Sequence, residues 1–145
     1  MADQTTQQIR IDAPLSQIWQ VLTDFEGYPT WARDIKEVVV VDRDDEGRAT
    51  AVRFRAAAMG RSTSYTLRYD WDDSPGCLPW ELIEGDLMRV LDGAYELTEV
   101  DASTTDVSYH LRIELAGPLP GFVKRRAEAR IVGTALRELR AHVER

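Results

Sequence analysis

The sequence holds almost none of the side chains on which most enzyme chemistries rest. Among 145 residues there is one cysteine and there are two histidines. Cys77 alone cannot close an internal disulfide, and no CxxC or Cys/His spacing offers a zinc site. A reducing, cytoplasmic setting is therefore expected, with no metal and no cofactor. A serine, cysteine or threonine nucleophile needs a base in reach, and only His110 and His142 could serve. His110 falls on the polar side of its segment beside Ser108 and Arg112, and His142 lies near the C-terminal end, so both read as solvated surface residues. Glycine-rich phosphate cradles, GxGxxG or GxxxxGK, are missing, which argues against nucleotide chemistry. No apolar run approaches the roughly 20 residues of a membrane span, and the first eight residues lack the apolar stretch of a signal peptide. Integral membrane association is thus not expected. Basic residues are also scarce, 18 against 25 acids for a net charge of −7, and an acidic body repels phosphate backbones, so nucleic acid is not an expected partner. The deficit is uneven. From residue 121 onward there are seven basic and three acidic residues, leaving −11 on the preceding 120.

What remains is an ordinary globular chain, 43% hydrophobic and 30% charged, of a size that forms one domain over residues 1–145. Residues 6–11 alternate as a strand. Asp12-Ala13-Pro14 then signals a helix start, and Leu15, Ile18, Trp19 and Leu22 recur with helical period. The helix ends near Thr23-Asp24. In Phe25-Glu-Gly-Tyr-Pro-Thr-Trp31, Gly27 and Pro29 break the period while three aromatics crowd together, which predicts a second, packed short helix or loop. From Ile35 to Leu115 the period is two. Candidate strands cover 35–42, 50–58, 61–71, 79–84, 87–100 and 106–115, joined by turn-like Asp44-Asp-Glu-Gly47, Met59-Gly60, Asp72-Asp-Ser-Pro-Gly76 and Asp101-Ala-Ser-Thr104. Short connections imply an antiparallel meander. Pairing Ala58 with Arg61 sets Phe54 opposite Tyr65 and Val52 opposite Leu67. Bringing Tyr95 and Leu97 onto the face of Val107, Tyr109, Leu111 and Ile113 calls for a last hairpin loop with an odd number of residues. After the Gly117-Pro-Leu-Pro-Gly121 break, a helix of up to about 24 residues, some 36 Å long, carries an apolar stripe of Ala129, Val132, Leu136, Leu139 and Val143. Such a helix needs a sheet face to cover. The expected class is α+β: a curved antiparallel sheet gripping one long C-terminal helix.

Two polar clusters invite weighing. Asp42-Arg-Asp44-Asp-Glu46-Gly47 resembles the start of a calcium loop, but Arg53 stands where the bidentate acid belongs and the flanks read as strands, so it is an acidic hairpin turn. Asp70, Asp72, Asp73, Glu81 and Glu84 sit around a Pro/Gly turn, where carboxylates are normally solvated. The inward face is instead aromatic: Phe54, Tyr65, Tyr69, Trp71, Tyr95 and Tyr109, with Trp31 and Trp80 nearby. These rings either fill a core or, because four tyrosine hydroxyls need partners, line a semi-polar cavity.

The order of strand, two short helices, long meander and terminal helix, with Asp12-Ala-Pro14, Ile18-Trp19, Leu22-Thr-Asp24-Phe-Glu-Gly-Tyr-Pro-Thr-Trp31 and Gly93-Ala-Tyr95-Glu-Leu97, resembles the START/SRPBCC (birch-pollen-allergen-like) superfamily. Within it the likeness is to the bacterial polyketide cyclase/dehydrase and lipid-transport group, which also holds coenzyme-Q-binding proteins. The resemblance covers essentially the whole chain and implies a helix-grip fold enclosing an apolar ligand cavity. It makes Trp31, Phe54, Tyr65, Leu67, Tyr69, Trp80, Tyr95, Leu97, Tyr109, Leu111, Val132 and Leu136 candidate ligand-binding residues. Aromatase/cyclases of the superfamily carry an inward Arg on the long strand and a Tyr just after the Tyr/Trp-Pro segment. Ungapped alignment on Tyr28-Pro29 and Gly60-Arg61 places Tyr69 and Ile35 there, with Arg68 one residue out of phase and facing away. Tyr65 matches an aromatic position of the family's cavity.

Three readings follow. The first is binding or transport of an apolar small molecule, such as a lipid, an isoprenoid quinone or a polyketide-like aromatic. The second is a cyclase or dehydratase using Tyr65, Tyr69 and a carboxylate. The third is an interaction module using the basic helix, with Arg125, Arg126 and Arg130, on an acidic partner or membrane surface. Oligomeric state and catalytic residues stay open at this level.

Overall fold

Strict alternation of apolar and polar residues makes two-faced strands, and short polar turns make neighbours in sequence neighbours in space. In the computed structural model, which describes residues 4–58, 60–117 and 120–145, this yields one antiparallel sheet. Its strands are β1 (Thr5–Ile11), β2 (Ile35–Arg43), β3 (Ala49–Ala58), β4 (Arg61–Tyr69), β5 (Cys77–Gly85), β6 (Met88–Asp101) and β7 (Thr104–Leu115). The order is β1-β7-β6-β5-β4-β3-β2, a continuous meander with β1 laid against its far end. The helices are α1 (Leu15–Thr23), a 3-10 turn (Phe25–Thr30) and α2 (Gly121–Val143). Met59 of the predicted Met59-Gly60 turn, and Pro118 and Leu119 of the predicted break, lie outside the described residues.

The predicted register holds where alternation is cleanest. Ala58 pairs with Arg61, Phe54 with Tyr65 and Val52 with Leu67. In the last hairpin Tyr95 lies opposite Tyr109 and Leu97 opposite Val107. The loop, however, is not odd: Ala102 and Ser103 make a two-residue turn, because an irregularity between Glu99 and Asp101 takes up the extra residue and restores the parity inside the ladder. Trp71 is a second correction. β4 stops at Tyr69, so Trp71 leaves the sheet, donates its indole N–H to the Ala49 carbonyl at 2.7 Å and meets Trp19 edge to face at 6.2 Å.

Pro14 sits at the N-cap of α1 with extended backbone rather than inside its first turn. Ile18 and Leu22 are fully buried on the helix's inner side, as the spacing requires. Pro29 then forces the tighter 3-10 turn, and the Tyr28 hydroxyl ties it to α1 by donating to the Leu22 carbonyl at 2.6 Å.

α2 packs on β1 and β7. Val132, Leu136, Leu139 and Val143 of the predicted stripe are buried, while Ala129 is only partly so. On the same stripe stands Glu128, with no exposed surface at all. Its carboxylate accepts the Thr5 hydroxyl at 2.9 Å and the Ile113 backbone N–H at 2.7 Å, and the Lys124 ammonium lies 3.2 Å away. β1 reaches only to Leu111 in its pairing with β7, so Glu128 takes the β7 amide just past the end of that ladder, where a bare N–H would be costly to bury. Further clamps run along the helix: the Gln7 side-chain amide donates to the Ala129 carbonyl at 3.1 Å, and the Asp12 N–H donates to Glu144 at 2.8 Å. A Glu128→Ala change removes the acceptor of the Thr5 hydroxyl and the Ile113 N–H, so a loss of about 3 kcal/mol in unfolding free energy is expected, read from the shift of the urea midpoint with the slope unchanged.

Candidate ligand-binding interior

Register delivers one inward side chain from every second position of five adjoining strands. β3 supplies Phe54, β4 supplies Tyr65, Leu67 and Tyr69, β5 supplies Trp80, β6 supplies Tyr95 and Leu97, and β7 supplies Tyr109 and Leu111. The rings touch in sequence across the sheet. Phe54 stacks on Tyr65 at 5.4 Å between centroids. Tyr69 meets Trp80 at 5.9 Å, Trp80 meets Tyr95 and Tyr109 at 5.5 Å each, and those two tyrosines lie 4.6 Å apart. The 3-10 turn closes the row from the other side. Phe25 lies 4.5 Å from Tyr69, and Tyr28 meets both Phe54 and Trp31, at 6.0 and 5.1 Å.

Twelve candidate residues came from sequence, and all but Tyr65 are buried; Tyr65 is partly so. Nine of them, Trp31, Phe54, Tyr65, Leu67, Tyr69, Trp80, Tyr95, Leu97 and Tyr109, stand on this inner surface. Leu111 and Val132 have no exposed surface and Leu136 has 2%, which puts them where α2 seats on the sheet. Sequence reasoning passed over Phe25 and Tyr28, although the density of aromatics around Pro29 was their signal. It also passed over Glu128, whose four-residue offset from Val132 places an acid in line with the stripe.

The electrostatics of this interior are those of neutral oxygen. Burial drives the phenols of Tyr28, Tyr65, Tyr69, Tyr95 and Tyr109 above the ordinary tyrosine value. Mutual proximity adds to it: Tyr69 feels Tyr28, Tyr65, Tyr95 and Tyr109, and Tyr109 feels Tyr95 and Tyr65. The five phenols therefore belong to one buried aromatic cluster. Tyr28 spends its proton on Leu22; the other four hydroxyls make no hydrogen bond to a described residue. Among the described residues the one buried charged side chain is Glu128, already committed to Thr5, Ile113 and Lys124.

Gly93 sets how the central ring lies. It pairs with Trp80 across β5 and β6, and a Cβ at that position would come within 2.7 Å of the indole and 2.3 Å of the His110 carbonyl. Trp80 thus lies flat over a strand position with no side chain. Its indole nitrogen is buried without a hydrogen-bond partner.

The polar candidates fall elsewhere. His110 faces the outer side of the sheet, bonded to the Thr6 hydroxyl at 2.8 Å and to Glu96, in a cross-strand ladder and away from the tyrosines. His142 corrects the expectation of a solvated residue: it is half-buried, its ring stacked on Trp31 at 6.3 Å and its Nδ1 enclosed without a partner, because the last turn of α2 folds over the segment after the 3-10 turn. In the calcium-like turn Asp44 accepts the N–H groups of Glu46 and Arg48 at 3.0 and 2.9 Å and holds the Arg48 guanidinium. Asp70, Asp72, Asp73, Glu81 and Glu84 are all exposed. Asp70, Asp72 and Glu81, together with Arg68, Tyr69 and Trp80, line a groove of about 550 Å³.

Over residues 11–140 the sequence matches the family described as polyketide cyclase / dehydrase and lipid transport. The chain belongs to that family. Solved structures agree on the fold, here the helix-grip fold. A START superfamily protein from Mycobacterium smegmatis superposes with a TM-score of 0.94 at 20% identity, covering 97% of each chain. The Zhui aromatase/cyclase from Streptomyces sp. R1128 gives 0.86 at 17% identity, covering 100% of this chain and 95% of the other. A STAR-related lipid transfer protein from Xanthomonas axonopodis gives 0.74 at 18% identity, covering 98% and 86%. No curated protein matches the chain. The two positions that the ungapped alignment set against the aromatase/cyclase pattern are placed as follows in this member of the polyketide cyclase / dehydrase and lipid transport family. Arg68 points outward, paired with Glu81 at 3.2 Å, leaving Tyr69 inward, and Ile35 packs partly buried against the core.

All five tyrosines of the chain are held above the usual phenol value, so the unfolded state releases these protons first. Stability is intact below the unfolded value of about 10 and falls as pH rises beyond it. Absorbance of phenolate near 295 nm is expected to stay flat to about pH 11 and then to rise together with loss of far-ultraviolet dichroism; phenolate forming in a still-folded chain contradicts the closed arrangement.

Proposed function

We propose that the protein binds an uncharged, oxygen-bearing apolar molecule between the sheet and α2, and does so without transforming it. A lipid, an isoprenoid quinone or a polyketide-like aromatic fits this description. One observation carries the reading: Tyr65, Tyr69, Tyr95 and Tyr109 stand on one buried or half-buried aromatic surface, and their hydroxyls make no hydrogen bond to a described residue. A hydroxyl left unmatched away from water costs on the order of 1–3 kcal/mol, and a ligand carbonyl or hydroxyl among them removes that cost. The apolar part of the ligand contributes about 25 cal/mol per Å² buried against the rings. Family membership, and the lipid transfer protein and aromatase/cyclase among its structural neighbours, support the same class of guest.

The interior also argues about charge. Arg53, Arg55 and Arg68 of β3 and β4 are exposed on the outer face, so a carboxylate or phosphate among the rings would be desolvated without compensation from them. Cyclisation needs a base, and phenols raised by burial remain protonated at neutral pH; Tyr69 is a donor that orients and not an acceptor that abstracts.

The test is mass spectrometry of solvent-extracted purified protein, followed by titration with a naphthoquinone and with a fatty acid of similar size, read by quenching of tryptophan emission. A neutral guest in the extract and saturable quenching by the quinone, with the fatty acid at least tenfold weaker, are expected. An empty extract with no quenching by either probe overturns the proposal. Tyr109→Phe is expected to weaken the quinone by about three- to tenfold, the value of one hydrogen bond, leaving far-ultraviolet dichroism unchanged.

A further inference from the structure

α2 has a second face, exposed except at Gly133, which is buried beside Gln7 of β1. At 100° per residue, Phe122, Arg126, Arg130 and Arg137 fall within an arc of about 80° and along about 22 Å of helix. All four are exposed. Phe122 is 60% exposed, the most of any large hydrophobic side chain among the described residues and the one aromatic in that group. The first turn of α2 carries no acid. Among the described residues, the ion pair formed within α2 joins Lys124 to the buried Glu128 on the sheet side, and Glu138 and Glu144 are engaged by the backbone N–H groups of Arg33 and Asp12. Gln7 of β1, which borders this face at Gly133, is neutral. The rest of the chain, residues 1–120, carries −11.

We infer that this face of α2 docks on an anionic lipid bilayer, with Phe122 at the acyl boundary and the arginines on the phosphates. Two features favour a bilayer over an acidic protein. The exposed aromatic of this face sits at the helix end, where an interfacial helix places such a ring. The opposite sign of charge on the body turns α2 toward a negative surface and keeps the remainder off it, so the orientation is unique. The surface stands whether or not the interior holds a guest, and it sets one wall of that interior against the membrane.

The experiment is co-sedimentation of the full chain with vesicles of phosphatidylcholine alone and of phosphatidylcholine with phosphatidylglycerol. Expected is partition to the anionic vesicles only, released as salt approaches about 0.5 M. Each arginine is worth about fivefold in partition, so Arg126→Glu with Arg130→Glu is expected to weaken it about 25-fold or more. The pair Arg53→Glu with Arg89→Glu makes the same change in net charge at exposed positions away from α2 and is expected to lose less than a fifth of that factor. Phe122→Ser is expected to lower partition severalfold with charge unchanged. Circular dichroism checks that each variant is folded. No partition of the wild-type chain, equal losses from the two arginine pairs, an unaffected Phe122→Ser, or capture by soluble polyglutamate without vesicle binding would each overturn the inference.

Discussion

The seat of α2 on the sheet depends on a buried carboxylate. Glu128 lies fully enclosed between the helix and β7, where it accepts the Thr5 hydroxyl and the Ile113 N–H and faces Lys124. β1 ends before Ile113, so the sheet by itself cannot satisfy that amide, and a glutamate from the helix completes the ladder. A charge placed there has one low-energy position, because any sliding of the helix would strand it away from water. Hydrophobic contacts from Val132, Leu136 and Leu139 supply most of the burial, but they are non-directional. The carboxylate supplies the register of helix on sheet, and with it the position of α2 over the aromatic strands.

The sheet has its chemistry sorted by strand pleat. On the outer face charges pair across strands: Arg10 with Asp106, His110 with Glu96, Arg68 with Glu81 and Arg55 with Glu37. On the inner face stand rings and phenols. One position of slip in β4 would exchange Tyr69 for Arg68 and turn a neutral interior into a cationic one, so the register that folds the protein also sets the charge of its interior. Gly93 does the same for shape, since any side chain there would lift Trp80 off the sheet and into the space its neighbours share.

α2 thus has two roles divided around its circumference. One side, spaced for burial, closes the domain. The other, spaced by fours from Phe122 to Arg130, carries the positive charge that the body lacks. In a chain of net −7 such segregation gives the molecule a strong charge asymmetry along the direction that leads from sheet to helix.

Much of the architecture was legible because it is local. Period-two alternation fixed strand faces, and the short Ala58-to-Arg61 turn set the pairing that places Phe54 on Tyr65. Pro14 and the i, i+3, i+4 spacing marked α1, and the break before Gly121 marked α2. The family likeness, read from Asp12-Ala-Pro14 and the Tyr28-Pro29-x-Trp31 segment, supplied the closed helix-grip arrangement that periodicity could not. What stayed hidden needs partners distant in the chain. Trp71 alternates correctly with Tyr69 but leaves the sheet because Ala49 offers its indole an acceptor. The last hairpin keeps its parity through a bulge, which leaves no trace in the apolar pattern. Glu128 reads as one more polar residue of an amphipathic helix until Thr5 and Ile113, over 120 and 15 residues away, are brought to it. Sequence alone therefore determined which side chains face inward, since pleat and helical period are properties of neighbours. Tertiary structure decided which of them meet, because only packing sets the distance between strands, helix and the oxygens they carry.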